Sequence, residues 1–214
     1  MLYVLKIRYF FYSIFIIGLY LVVSVISNHF FLTETYFSQW YEGILSQKQV
    51  HDVLAFAKKW EWGIFLINIL LIFIKISCVS VCLYLGLFFF SNHKNAFNIV
   101  FNVALKAEFV FVAYSFVRLL WYILVHKPES FEELQVMPLS LMHFFDPITI
   151  EPWLIFPLNT LNIFEILYVL MLSALMAKAI QVKFRKAFDL VFVSYGSGLL
   201  LLIVVQMFLI LNNA

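Results

Sequence analysis

Charge is what this sequence has least of. Asp, Glu, Lys and Arg supply only 12% of its 214 residues, against about 25% in ordinary soluble domains. Apolar residues supply 64%, and the mean hydropathy is +0.99. Too little polar surface remains to keep such a chain dissolved, and a disordered tail or a basic nucleic-acid-binding domain is excluded with it. Cysteine is scarce too: two residues, Cys78 and Cys82, cannot build a secreted disulfide scaffold. Only six glycines occur, and no Walker A or dinucleotide-binding loop is found among them. HExxH and GxSxG are also absent. No catalytic, cofactor-binding or metal-ligating constellation emerges, so the expectation is a non-enzymatic protein without a cofactor. The five prolines all fall between His126 and Pro157, leaving the rest of the chain free of them.

What fills the space is long apolar runs. The hydrocarbon core of a bilayer is about 30 Å thick and a helix rises about 1.5 Å per residue, so about 20 apolar residues span it. Five stretches qualify: 9–27, 62–90, 101–125, 158–177 and 190–211. They leave no room for an independent soluble domain, and the fold class expected is all-α, a single bundle of five transmembrane helices over 1–214. The first run follows Lys6 and Arg8, as a signal peptide would. It is longer than a signal h-region and no small-x-small cleavage site follows it, so it reads as an uncleaved anchor.

Lys and Arg set the orientation. Lys6, Arg8, Lys94, Lys178, Lys183, Arg185 and Lys186 share one side. Lys48, Lys58, Lys59 and Lys127 share the other, diluted by Glu34, Glu42, Asp52, Glu61, Glu129, Glu132, Glu133, Asp146 and Glu151. The first side is expected to be cytoplasmic, giving N-in/C-out in a bacterial inner membrane. Trp40, Trp60, Trp62, Trp121 and Trp153 all lie towards the second side, at the headgroup level tryptophan favours.

Two long loops lie on that outer side. In the first, Ser46 and Gln49 form a capping box, and Val50, Val53, Leu54 and Ala57 follow at i, i+3, i+4, i+7. This predicts a short helix lying on the membrane surface. The second, 126–157, has apolar pieces (136–142, 148–156) too short to cross, and an irregular cap over the bundle is expected. His51–Asp52 and His143 with Asp146 lack the local spacing a metal site needs, so they read as solvated or interfacial side chains.

Two segments echo each other: KNAFNIVF from Lys94 and RKAFDLVF from Arg185. Each precedes an outward-running span. A duplicated hairpin, pairing the second and third spans with the fourth and fifth, accounts for the echo. So does the common grammar of a basic residue, a helix-starting Asn or Asp and an apolar run.

Ionisable groups inside a span usually face the bundle and find partners. Lys106 lies near the cytoplasmic boundary and can snorkel. Arg118 and Glu165 each lie seven residues from the outer end of their spans, counted from Val125 and Leu158. Because those spans run antiparallel, an Arg118–Glu165 ion pair is predicted, with Lys75 close enough to join it. Glu108 lacks an obvious partner other than Lys106. The charge cluster Lys75, Arg118, Glu165 reads either as a structural tie or as a substrate or proton relay. Small residues complete the packing signals: Cys78, Cys82 and Gly86 recur every four residues, as do Ser194 and Gly198, and such stripes let helices approach closely in lipid.

From Leu158 to Val205 the chain reads LNTLNIFEILYVLMLSALMAKAIQVKFRKAFDLVFVSYGSGLLLLIVV. This stretch resembles the C-terminal half of the prokaryotic Yip-like membrane proteins, with an L-N-x-F run at the start of the fourth span and a basic-Lys-Ala turn before the fifth. It departs from the family at Glu165–Ile166, where Ser-Ile-Trp is usual, and at Ala177, near the usual Gly. The resemblance implies five spans, a cytoplasmic N-terminus and a scaffold or partner-binding role in the bilayer. The partners expected are lipid, other membrane proteins or further copies of the chain, and no nucleic acid. The competing expectation is a small transporter or permease subunit using Lys75, Arg118 and Glu165.

Overall fold

The computed structural model describes residues 2–31, 33–40, 45–90, 96–128, 133–134, 136–146 and 149–213. Apart from one isolated bridge between Ser140 and Asn162, the described residues form helices, turns and connecting coil. In chain order the helices are α1 (Leu2–Phe31), α2 (Glu34–Trp40), α3 (Gln47–Lys59), α4 (Glu61–Phe90), α5 (Ala96–Ala107), α6 (Phe109–Leu120), α7 (Pro152–Thr160), α8 (Ile163–Ile180) and α9 (Phe184–Asn213). A π-helical turn, Trp121–Val125, ends α6, and a 3₁₀ turn covers Leu141–Phe144. Five segments are long and apolar enough to cross a membrane: Phe11–Phe31, Glu61–Phe89, Phe97–Val125, Ile163–Ile180 and Phe184–Asn212. Lys94 and Asn95, which open the first echo segment, lie outside the described residues, as do Glu42, Glu129 and Glu132. Beyond them, Val100 and Val191 hold equivalent places in the two segments and both are fully buried.

The fourth span is where the structure departs from expectation. It begins at Ile163, not at Leu158, because Asn162 takes an extended conformation and its Oδ1 accepts from the Glu165 N–H at 2.8 Å. Leu158–Thr160 belong instead to α7, a separate helix with Pro at its start, packed along α9. Backbone groups freed at this break find partners in the preceding segment. Leu141 N–H donates to the Leu161 carbonyl at 2.9 Å, Ile163 N–H to Leu139 at 3.3 Å, and Met137 N–H to Asn159 Oδ1 at 2.9 Å. An irregular backbone survives at such depth only when its polar groups are satisfied within the protein.

The third span consists of α5 and α6, which meet at Glu108. There the Glu108 carbonyl accepts from both Phe111 and Val112, at 3.0 and 3.1 Å, which tightens one turn without interrupting the helix. At one end of the bundle α2, α3, α7 and the segment 133–146 form a cap, and all five tryptophans lie at this end. The expected capping box is present in α3, with Ser46 and Gln49 bonded reciprocally. Val50 and Leu54 turn inward, while Val53 remains 44% exposed, so the buried face is narrower than the sequence pattern. Arg118 and Tyr122 pin the cap by donating to the Leu134, Glu133 and Val136 carbonyls. Towards the opposite end, near 181–183, the core is tight and apolar: Leu83, Leu87, Val100, Ala104, Leu172, Met176, Ala187 and Val191 are fully buried.

A close helix contact joins α4 and α9, through the two stripes of small residues. A Cβ added to Gly86 would lie 2.6 Å from Ser194 Cβ, and one added to Gly198 would lie 2.5 Å from Cys82 Sγ. Cys78, at the end of its stripe, is exposed, and both thiols are free. Gly86→Leu is therefore expected to destabilise the bundle by about 2 kcal/mol, the usual scale for overpacking. Gly18→Ala, with open space around it, should be neutral or stabilise by about 0.5–1 kcal/mol through helix propensity. Thermal unfolding of the two variants in one detergent checks the contrast.

Candidate functional site

The centre of the bundle holds an ion pair. Lys75 Nζ lies 2.9 Å from Glu108 Oε1, and Lys75 stands midway along the second span. The Tyr20 hydroxyl of α1 donates to the same oxygen at 2.9 Å. Glu108 is only 1% exposed, and no hydrogen-bond partner reaches its Oε2 among the described residues. Lys75 Nζ also sits over the face of Phe111, 3.3 Å from the ring centroid, and 5.5 Å from that of Tyr168. Tyr168 meets Tyr195 edge-on, and the Tyr195 hydroxyl donates to Glu165 Oε1 at 2.5 Å. Every span contributes to this layer: Tyr20 from the first, Lys75 from the second, Glu108 and Phe111 from the third, Glu165 and Tyr168 from the fourth, and Tyr195 from the fifth. In a medium of low dielectric, hydrogen bonds to charged groups are strong and unpartnered polar groups are costly. The layer thus ties the five helices together.

A cavity of about 440 Å³ reaches this layer from the capped end, between the first three spans. Its polar lining follows helical spacing. The first span offers Tyr20, Ser24, Ser27 and Asn28; the second offers Asn68 and Lys75; the third offers Glu108, Ser115, Arg118 and Tyr122. Residues three, four and seven apart share one face of a helix, so each span turns one polar stripe into the same groove. Between the stripes, Ile17, Leu21, Ile69, Ile72 and Leu119 supply apolar walls. The groove runs from Arg118 to Glu108, about 15 Å at the helical rise. It stops there, because the buried apolar core lies beyond.

The expected Arg118–Glu165 ion pair does not form. Arg118 donates to the Leu134 carbonyl at 2.7 Å and approaches the Tyr122 ring at 6.0 Å, while Glu165 bonds Tyr195. The break before Ile163 is the cause: it places Glu165 in the first turn of its span, so counting from Leu158 gave the wrong depth. The partner of Glu108 was also misjudged. It is Lys75, with Tyr20 alongside. Of the three charges singled out, Lys75 and Arg118 line the groove and Glu165 does not. Among the described residues, no three His, Cys, Asp or Glu side chains gather as a metal site would require. His126 lies 3.3 Å from Glu133, and His143 packs edge-on against Trp121.

The tyrosines and the uncharged stripes escaped the sequence reading. A signal was available: Asn68 and Lys75 are two helical turns apart, as are Glu108 and Ser115, and polar residues repeating at that interval in apolar spans mark one shared face. Tyrosine was overlooked because its ring is apolar and only its hydroxyl seeks a partner.

Neutralising one side of the central pair leaves the other charge unmatched. Breaking a buried pair typically costs about 3–5 kcal/mol. Since the Lys75 side chain is 37% exposed to the groove, a smaller loss of about 2–3 kcal/mol is expected for Lys75→Met or Glu108→Gln. The Lys75→Met/Glu108→Gln double variant should lose clearly less than the sum of the two. A double-mutant cycle by thermal or denaturant unfolding gives this coupling.

Comparison with protein-family models, with curated proteins and with solved structures finds no match to this chain.

Proposed function

We propose that this multi-pass membrane protein is a non-enzymatic transport component that admits a small solute into the groove between its first three spans. In this reading the capped end faces outward across a bacterial inner membrane, and the N-terminus lies inside. The observation that carries the proposal is the convergence of three polar stripes on one cavity that ends at Lys75–Glu108, midway through the bundle. A purely structural tie has no use for Ser24, Ser27 and Asn68 above it, because polar groups facing lipid are unfavourable; Ser115 is satisfied by the Phe111 carbonyl at 2.9 Å. Facing a hydrated groove, the first three cost little. The tight apolar core beyond the pair acts as the closed side of the path.

The scaffold role implied by the Yip-like resemblance of Leu158–Val205 accounts for the bundle and its cap, and it requires a dry groove. The two readings therefore separate on water access. In a background carrying Cys78→Ser and Cys82→Ala, Asn68→Cys and Ser115→Cys should react with a membrane-impermeant maleimide added outside intact cells. Val103→Cys, placed in the apolar core at 4% exposure, should not. Labelling at Asn68→Cys and Ser115→Cys no faster than at Val103→Cys would show the groove to be dry and return the protein to the scaffold role.

A further inference from the structure

The charge lining the groove is unbalanced. Glu108 is the one carboxylate in its lining among the described residues, and both Lys75 and Tyr20 already engage it. Arg118, nearer the mouth, has no carboxylate within ion-pair distance among the described residues. Its recorded hydrogen bond goes to a neutral carbonyl, that of Leu134. Nearby acids are directed elsewhere: Glu133 pairs with His126, and Glu61 accepts from Asn28 at 3.1 Å. Among the described residues the groove thus presents two cations against one anion, and the cation without a carboxylate is a guanidinium below the outer end of its helix. A cation placed there would be repelled. A neutral solute would leave the guanidinium as poorly matched as before.

Resting on the transport reading above, we infer that the solute is a small organic anion: a carboxylate with an apolar body. The planar fork of an arginine matches a carboxylate, with two parallel N–H donors meeting its two oxygens. The body of such a molecule fits the apolar strips of the walls, Ile17 and Leu21 on one side and Ile69 and Ile72 on the other. Ser24 and Asn68 offer hydrogen bonds along the way. Lys75, partly exposed at the groove floor and paired with Glu108, ends the path. Arg118 is the specificity-determining group, and Lys75 sets the depth reached.

Hexanoate, hexanol and hexylamine share one apolar body and differ in charge, so they serve as probes. In phosphatidylcholine nanodiscs, hexanoate should raise the unfolding midpoint saturably, while hexanol and hexylamine at equal concentration should not. It should also slow maleimide labelling of Ser115→Cys. Arg118→Gln should weaken the apparent hexanoate affinity at least tenfold, and Arg118→Lys, which keeps the charge but loses the fork, should weaken it less. Equal responses to hexanoate and hexanol, or a hexanoate response that survives Arg118→Gln unchanged, would overturn the assignment. Should Arg118→Gln unfold through loss of the Leu134 tie, Asn68→Leu, which obstructs the groove without touching the cap, must abolish the hexanoate response instead. Labelling of Ser115→Cys that hexanoate fails to slow overturns the anion alone and leaves the groove standing. Absence of labelling overturns both.

Discussion

A carboxylate that is 1% exposed halfway through an apolar bundle must be matched where it stands, and the arrangement around Glu108 follows from that constraint. Lys75 and Tyr20 approach the same oxygen from two different helices, which fixes the first three spans relative to one another. Phe111 and Tyr168 then surround the ammonium with aromatic faces, and Tyr195 and Glu165 extend the layer to the remaining spans. In water such pairs contribute little. Here no alternative partner is at hand in the hydrocarbon, so the pairing specifies which helices meet and at what depth. The same pair forms the floor of the groove, where the Lys75 side chain stays partly exposed while Glu108 does not.

Much of the architecture was legible in the amino-acid sequence because length and hydropathy are one-dimensional properties. The second span was placed to within a residue, and the first, third and fifth were recognised, though each is longer than its uncharged core suggested. The α3 capping box was readable for the same reason, since Ser46 and Gln49 lie three residues apart and the motif is entirely local. The fourth span failed where a non-local contact decides the outcome. The one local sign in PWLIFPLNTLNIFEIL of a restart at Ile163 is Asn162, a favoured N-cap residue three positions before Glu165, and the apolar run on both sides of it hides that sign. The stop depends on Asn162 as a cap and on residues 137–141 accepting and donating across the gap. One misplaced boundary then misplaced Glu165 by about a turn and produced an ion pair that does not exist.

The candidate site divides in the same way. Lys75 and Arg118 stood out because charge in a span is rare and expensive. Their partners did not, because depth arithmetic compares helices as straight rods of known ends. The fourth span begins late, at Ile163, so its end is not the one the count assumes. Tyr20, Tyr168 and Tyr195 carry hydroxyls that matter only when the fold brings a carboxylate or an ammonium within reach, and no spacing rule anticipates that.

The interlock of α4 with α9 bears on how the chain is assembled. Gly86 receives Ser194 and Gly198 receives Cys82, so small faces large at one level and large faces small one turn away. Sliding one helix by a turn would set Ser194 against Cys82 in one direction or Gly86 against Gly198 in the other, so the interlock favours the observed register. The two helices are separated by the third and fourth spans, however, and emerge from the ribosome far apart in time. Until the fifth span inserts, the second must sit in the bilayer with its narrow face covered only by lipid. Closure of this contact therefore waits for the fifth span, and an acyl chain or the insertion machinery shields the nascent second span meanwhile.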